Sequence, residues 1–531
     1  MHTLNDHAAE QSHRLYRKVF DVGCQEDLAI EVFAQLARAH PQAPACLMDS
    51  SDHARTLRPE RSKYSILAFS LGEHSAEVHH WAGATRQITP TSCSLQKMPF
   101  FEWLRRNWAI TEPNLSQPNS PSDVSRPVLG QWHPNTAPFA LGWVGWLGYE
   151  LKRERGSPDG AASQPDPLCP PYDAQLFRVT HALVLDHRTG TAELQSWGRD
   201  RQWEERVTEA FAAAESSVQN AFPDVDNSAD RSTGIFNASA DAHLHLRDTK
   251  KDYLDKILAA QTHIAEGNSY EICLTTSVSG PLLGEADGIE VFRRIRRENR
   301  TPFTQYLRFD GVEILSTSPE RFLSIDASGT ARSEPIKGTR PRSTNPEVDE
   351  ALLQDLRTHP KDRAENVMIT DLVRNDLSVH AVPGTLRTER LCAVETYPTV
   401  HQLVSTVSAR TTAGTHPADV VAAAFPPGSM TGAPKISTMN ILEELETGRR
   451  GPYSGVAGYF SSSGAMDLSV LIRTVVLTRR EEDDGTVYRD FHLGVGGAIT
   501  ADSIPENEWE EVRTKSLGIL NALGTQFPES A

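Results

Sequence analysis

The sequence predicts a soluble fold that mixes β-strands with α-helices and changes character near residue 240. Three observations carry this. The 531 residues are 38% apolar and 23% charged, values of a globular chain and not of a disordered or collagen-like one. Before residue 240, short apolar runs alternate with turns, as in LGWVGWLGYEL (141–151) and QLFRVTHALVLDH (175–187), a β-like pattern. After it, strongly patterned helices and strands alternate. Stretches rich in Pro, Ser, Asn and Gly (112–139, 153–171 and 222–240) read as loops, and the last marks the boundary. An N-terminal domain over 1–240 and a C-terminal domain over 241–531 are therefore expected.

Charge and cysteines narrow the classes. Lys plus Arg total 53 against 70 Asp plus Glu, a net charge of −17, which argues against nucleic-acid or anionic-membrane binding. The start, MHTLNDHAAEQSHR, lacks the basic and apolar regions of a signal peptide, and no apolar run is long enough to span a bilayer. The six cysteines form no C-x-x-C unit, so neither a zinc site nor a disulfide framework is indicated. A reducing cytoplasm is the expected location.

In chain order, IAEGNSYEICLTTSVSG (264–280) predicts a helix end, a turn and a strand. VEILSTSPERFLSID (312–326) predicts a hairpin turning at Ser-Pro. EPIKGTRPR (334–342) predicts a strand end entering a loop. KDRAENVMITDLVRNDL (361–377) predicts a helix, because Pro360 precedes it and Val367, Met368, Leu372 and Val373 recur at helical spacing. PPGSMTGAPKISTMNILEELE (426–446) predicts a Gly-rich loop opening a helix, with Pro434 at its first position and Gly448 at its C-terminal cap. Such a helix start favours an anion, and serves equally as a capped packing helix. GVGGAITADSIPENEWEEVRTKSLGIL (494–520) predicts a Gly-rich strand end and a last helix. There Glu508, Glu511 and Lys515 share one face, and Trp509, Val512 and Leu520 another. On spacing alone, the charged face also suits plain solvated surface.

No P-loop, H-E-x-x-H or G-x-S-x-G motif is present. What remains is carboxylates beside glycine loops, and the lone Lys of PIKGT. Carboxylates without His or Cys partners suit a hard cation such as Mg²⁺. The residues alone thus point to an Mg²⁺-dependent site for a small anion.

SPERF, PIKGTRPR, DRAENVMITDLVRNDL, GSMTGAPK, RGPYSG, LIRT and the ADS–EWEE–K segment form an ordered set that resembles the chorismate-utilising enzymes. That group includes anthranilate synthase component I, aminodeoxychorismate synthase component I, and the isochorismate and salicylate synthases. The resemblance is dense over 250–520 and extends to LMDSSD (47–52), KYSIL (63–67) and GWVGWLGYELK (142–152). It implies an α+β fold of large antiparallel β-sheets wrapped by helices. It also implies that Glu365 and Glu511, with Glu508 close by, hold Mg²⁺, which grips the ring carboxylate of chorismate. Arg473 and Lys515 match residues that bind the substrate carboxylates. Ser429, Tyr453 and the Gly496–Gly497–Ala498 backbone match the rest of the substrate cradle.

Within the group, Lys337 resembles the aminodeoxychorismate synthase branch, where a Lys attacks C2 of chorismate as the C4 hydroxyl leaves. Anthranilate synthases, the alternative, usually carry Ala there. Glu320 matches the carboxylate proposed to shuttle protons. Isochorismate and salicylate synthases place a water-activating Lys where this chain has Glu271; Tyr270 and Glu271 also read as plain strand residues. The chain departs from its relatives at VHQLVS, where Gln402 follows His401 in place of a second His, so the acid role falls to Glu320. It departs again at Ala498, where the usual GGGI loop has glycine. No stretch resembles a glutamine amidotransferase, so the resemblance implies ammonia from a separate amidotransferase subunit or from free ammonium. A tryptophan pocket is implied near MDSSD and NRTPF (299–303), the latter differing at two positions from the usual N-P-S-P-[YF].

Overall fold

The computed structural model describes residues 15–54, 61–110, 138–159, 169–220, 244–282, 287–397, 400–481 and 487–528. The loop expected at 222–240 lies outside them, as do the N-terminal 14 residues, most of the loop at 112–139 and the middle of that at 153–171.

Strand segments pair into two antiparallel sheets. In the first sheet, Ala45–Asp49 lies against Phe303–Phe309, followed by Val312–Ser318, Thr474–Glu481, Val487–Ile499 and Glu271–Leu282. The second sheet runs from Ile336–Pro341 through Val400–Arg410, Thr330–Glu334, Arg321–Ile325, Met466–Val470 and Val456–Ser461 to Gly142–Leu147. Strands from both sides of residue 240 therefore share each sheet. Cys46 faces Leu307 in the first, and Trp146 faces Ala457 in the second.

Alternate residues of these strands build different cores, as the two-residue period of a strand requires. Ile66, Val184, Leu307 and Ile314 of the first sheet meet Val144, Trp146, Phe177 and Tyr459 of the second in one buried cluster, so the sheets stack face to face. The outer face of the first sheet (Leu47, Leu274, Tyr306, Leu493) packs on helices that include Leu28–Ala39, Lys250–Ala265 and Pro505–Ala522. The outer face of the second (Leu323, Val407, Val456, Leu468) packs on Phe100–Asn107, Pro360–Ser378 and Pro417–Ala424. The molecule is an α+β sandwich of helices, sheet, sheet and helices.

Local chemistry sets the element ends. Thr249 and Asp252 form a reciprocal capping box at the start of Lys250–Ala265, worth about 1 kcal/mol. Pro360 and Pro505 occupy first-turn positions where an N–H is not needed.

Several sequence expectations change here. Val312–Ile325 is not a hairpin: Val312–Ser318 belongs to the first sheet and Arg321–Ile325 to the second. Val312–Ser318 is buried along its whole length, whereas a surface hairpin keeps one solvated face. PIKGTRPR is a paired strand, Ile336–Pro341, and not the entry to a loop. After Leu147, GYEL turns into a 3₁₀ helix over Tyr149–Arg155. Pro434 precedes the first helical residue, Lys435, and the helix ends at Leu445. Gly448 is therefore not its cap. Glu446 is drawn out of the helix by Arg450 (2.7 and 2.9 Å) and by the N–H and hydroxyl of Thr275 (2.9 Å each).

Candidate active site

Lys337 sits in an irregular stretch of its strand. The register of Ile336–Pro341 against Val400–Arg410 slips between Ile336 and Thr339, which marks a β-bulge. Gly338 supplies the positive φ (+83°), and a Cβ there would lie 2.9 Å from Leu356 and 3.0 Å from Asp362. A bulge re-aims the side chain it carries. The Lys337 side chain is 10% exposed, and its ammonium donates to Glu271 Oε1. Glu271 opens the strand Glu271–Leu282 and is fully buried. Burial works against a charge on Lys337, but the Glu271 carboxylate, aided by Glu365 and Cys273, holds the ammonium above its ordinary range. Lys337 rests as a cation.

Glu320 lies where the chain crosses from one sheet to the other. Its N–H donates to Ser318 Oγ (3.2 Å), and its carbonyl accepts from the Val470 N–H (3.0 Å). Burial pushes its carboxyl up to about 7, against weaker pulls from the Ser429 hydroxyl, Lys337 and the Ile336 N–H. An acid poised near 7 donates and recovers a proton at neutral pH.

Three further glutamates come from two helices. Glu365, on Pro360–Ser378, is buried and pushed up to about 7 by burial and by Glu271, against Lys337 and Lys361. Glu508 is buried at the start of the last helix. Its Oε1 accepts from Ser503 Oγ (2.6 Å) and Lys361 Nζ (3.2 Å). Its Oε2 is buried with no partner. Lys361 also lies 3.8 Å from Glu365, so one ammonium spans the two carboxylates. Glu511 is half-exposed and pairs with Lys515 (2.7 Å), which holds its carboxyl below the usual range against burial. Among the described residues, no three Asp, Glu, His or Cys side chains are placed together so as to hold a metal ion. The all-oxygen donor set and the unpartnered Glu508 oxygen nonetheless fit a divalent cation such as Mg²⁺.

Part of the expected cradle adjoins this cluster. Gly496, Gly497 and Ala498 pair with Thr275, Leu274 and Cys273 on the strand that starts at Glu271. A Cβ on Gly497 would stand 3.5 Å from Glu508 Oε2 and 4.0 Å from Glu511 Oε1, so this strand and the two carboxylates share one space. Lys515 donates to the Gly496 carbonyl (3.0 Å), tying the last helix to it. Tyr453 packs so tightly on Gly494 that a Cβ there would lie 2.2 Å from its ring. Arg473 adopts φ +52°, with its carbonyl held by Thr317. Its guanidinium has no acceptor among the described residues, and burial lowers its pKa. A desolvated, unpaired guanidinium fits a ligand carboxylate.

Sequence reasoning gives two members of this cluster no role in the site. Glu271 reads there as standing where isochorismate and salicylate synthases carry a lysine, and equally as a plain strand residue. Lys361 stands four residues before Glu365, a spacing that makes helix neighbours. His401, by contrast, is a buried structural residue, paired with Thr396 Oγ1 (2.9 Å) and Asp349 Oδ1 (3.1 Å). Gln402 beside it is also buried. Away from this cluster, a cavity of about 470 Å³ is lined by Asp49, Ser50, Arg61, Phe303, Thr304 and Arg321, among others. It adjoins both MDSSD and NRTPF.

Two stacked antiparallel sheets bring a buried lysine and two carboxyls poised near 7 to one place, the equipment of an enzyme. Comparison makes the class specific: the chain belongs to the family of chorismate binding enzymes, whose model matches residues 75–521. It is 45% identical over 394 residues to aminodeoxychorismate synthase of Streptomyces griseus, covering 73% of this chain and 51% of that protein. It is 34% identical over 418 residues to aminodeoxychorismate synthase component 1 of Escherichia coli, covering 78% and 84%. The fold matches anthranilate synthase component I of Streptococcus pneumoniae with a TM-score of 0.65 at 23% identity, over 86% and 92% of the two chains. The chain spans about half the length of the Streptomyces relatives it matches.

Proposed function

We propose that the chain is the component I type of aminodeoxychorismate synthase, a transaminase-type enzyme that converts chorismate and ammonia to 4-amino-4-deoxychorismate for para-aminobenzoate and folate synthesis. The observation that carries this is Lys337: a buried lysine aimed by a bulge, with a carboxylate as its counter-ion and Glu320 poised near 7 nearby. The names of the similar Streptomyces and Escherichia proteins support it. An anthranilate synthase is the alternative, but it has no use for a lysine at this position.

Glu365, Glu508 and Glu511 would hold Mg²⁺, which when bound supplies positive charge for the ring carboxylate of chorismate. Arg473 and Lys515 are cations for the substrate carboxylates, and Ser429, Tyr453 and the Gly496–Gly497–Ala498 backbone bound the ring. In the first step Nζ of Lys337 bonds to C2 and the ring diene shifts as the C4–O bond breaks. Glu320 donates the proton that lets the hydroxyl leave as water, and takes in its place the proton that Lys337 gives up. In the second step ammonia bonds to C4 and the C2–Nζ bond breaks. Ammonia would come from a glutamine amidotransferase subunit, and a separate lyase would release para-aminobenzoate. The cavity beside MDSSD and NRTPF is the candidate tryptophan site. All six cysteines are free, which supports a reducing cytoplasm. Among the described residues no helix is long and apolar enough to cross a membrane.

Product analysis tests the reading. Purified protein with chorismate, Mg²⁺ and ammonium is expected to give aminodeoxychorismate, converted to para-aminobenzoate only when lyase is added. Anthranilate and pyruvate as products would overturn it.

A further inference from the structure

We propose that Glu271 is the ammonium-binding group of this site, its second oxygen receiving the nitrogen donor once Lys337 is occupied. The inference deepens the reaction just proposed and rests on it.

The geometry has three parts. Glu271 is completely buried, and only one of its oxygens is used: Oε1 accepts from Lys337, while Oε2 is buried with no partner. A half-satisfied buried carboxylate is costly unless something else completes it. Secondly, Glu271 is bonded to Lys337 and opens the strand whose later residues pair with Gly496–Gly497–Ala498, so it stands at the proposed nucleophile and not in a remote core. Thirdly, the preceding residue, Tyr270, is 68% exposed, so the strand enters the protein from the surface at Glu271. A small ion has a short way in.

The reaction leaves the second oxygen open. In the adduct Nζ is a secondary ammonium that still faces Oε1, and the proton it shed has passed to Glu320, which gave its own to the leaving hydroxyl. Oε2 receives the ammonium, a monocation with N–H donors on every side. Glu271 takes one proton from it, leaving ammonia. The nitrogen lone pair then forms the C4–N bond, the ring diene shifts back, and the C2–Nζ bond breaks with its electrons on Nζ. Nζ recovers the proton from Glu271, which restores the resting pair. The other charged groups facing this position are Glu365 from the helix Pro360–Ser378 and Cys273 of the same strand, the latter with a thiol raised by burial.

The test is steady-state kinetics of the full chain with ammonium chloride, and with hydroxylamine, an amine already neutral at mildly alkaline pH. Adduct formation on Lys337 is followed by mass spectrometry without any amine. For Glu271→Gln, KM for ammonium is expected to rise about tenfold or more, with KM for chorismate and adduct formation within about threefold of wild type. Hydroxylamine should serve variant and wild type alike, because it needs no proton removed; a purely structural role would impair both amines. Glu271→Asp, which keeps the charge but withdraws the oxygens, should raise the ammonium KM by a smaller factor and carries the test if the Gln variant does not fold. An unchanged ammonium KM overturns the proposal, and so does loss of the adduct in both variants, which would assign Glu271 to orienting Lys337 alone. Wild-type protein that forms neither adduct nor amino product would instead overturn the parent reaction.

Discussion

Two buried charge clusters lie close together along the chain, and they are finished differently. In the first, Arg61 donates to Glu334 (2.6 Å), Glu395 (2.5 Å) and Tyr397 (2.9 Å), while Arg321 donates to Glu334 (2.6 Å) and to both oxygens of Asp467 (2.9 Å each). The two guanidiniums hold the Glu334 carboxyl below the usual range in spite of burial. In the second cluster, Glu271 and Glu508 each leave an oxygen without a partner among the described residues, and Glu320 and Glu365 are pushed up to about 7. Lys337 stands only three positions after Glu334. The closed cluster stores stability; the open one keeps its vacancies for ligands.

That contrast can be broken in order of expected effect. Lys337→Ala should lower aminodeoxychorismate formation by roughly 10³-fold or more, since a nucleophile has no substitute. Arg61→Ala should act on stability instead. It leaves Glu334 with Arg321 and Glu395 with Arg390 as their remaining counter-charges, at a cost of a few kcal/mol by urea unfolding. A stable Arg61→Ala protein would show that the closed cluster is not closed in solution. Glu320→Gln should cost roughly 10²-fold in kcat.

The same residue sets a pH dependence. Glu320 is an acid only while protonated, so activity should fall as pH rises through about 7. Its raised folded-state pKa also means that its contribution to stability, full below the unfolded value near 4.5, is lost as pH rises towards 7. Glu320→Gln should therefore be more stable than wild type at pH 8 by about 1–3 kcal/mol in denaturant titrations. The smallest effect is expected for Ser429→Ala. It removes a buried hydroxyl that would meet the substrate, a hydrogen bond worth about 0.5–1.5 kcal/mol, so kcat/KM should drop modestly. The alkaline limb should move to higher pH, because Ser429 is one of the groups that lower the Glu320 pKa.

The open cluster was more legible in the sequence than the closed one, for a physical reason. Lys337, Glu320, Glu365 and Glu508 each stand in short ordered motifs, and periodicity alone put Glu508 on one helix face with Lys515. Arg61 and Glu395 are 334 positions apart, and no local pattern announces their meeting. The crossover at Ser318–Pro319–Glu320 was hidden similarly: two apolar runs around a turn read as a hairpin, and only stacking of the sheets separates them. The bulge at Lys337 was invisible because register depends on a partner strand some 65 residues later. The vacancy on Glu271 depended on knowing what reaches its other oxygen.

The sharing of both sheets by early and late segments has a consequence for synthesis. When the first 220 residues have left the ribosome, Ala45–Asp49 and Gly142–Leu147 still lack their neighbours Phe303–Phe309 and Val456–Ser461. At roughly 5–20 residues per second, the edge at Gly142–Leu147 waits about 15–60 s for its partner. Those are long apolar edges, the kind that capture other chains. The nascent polypeptide is thus a natural client for a chaperone, and slowing translation should raise its aggregation and not relieve it.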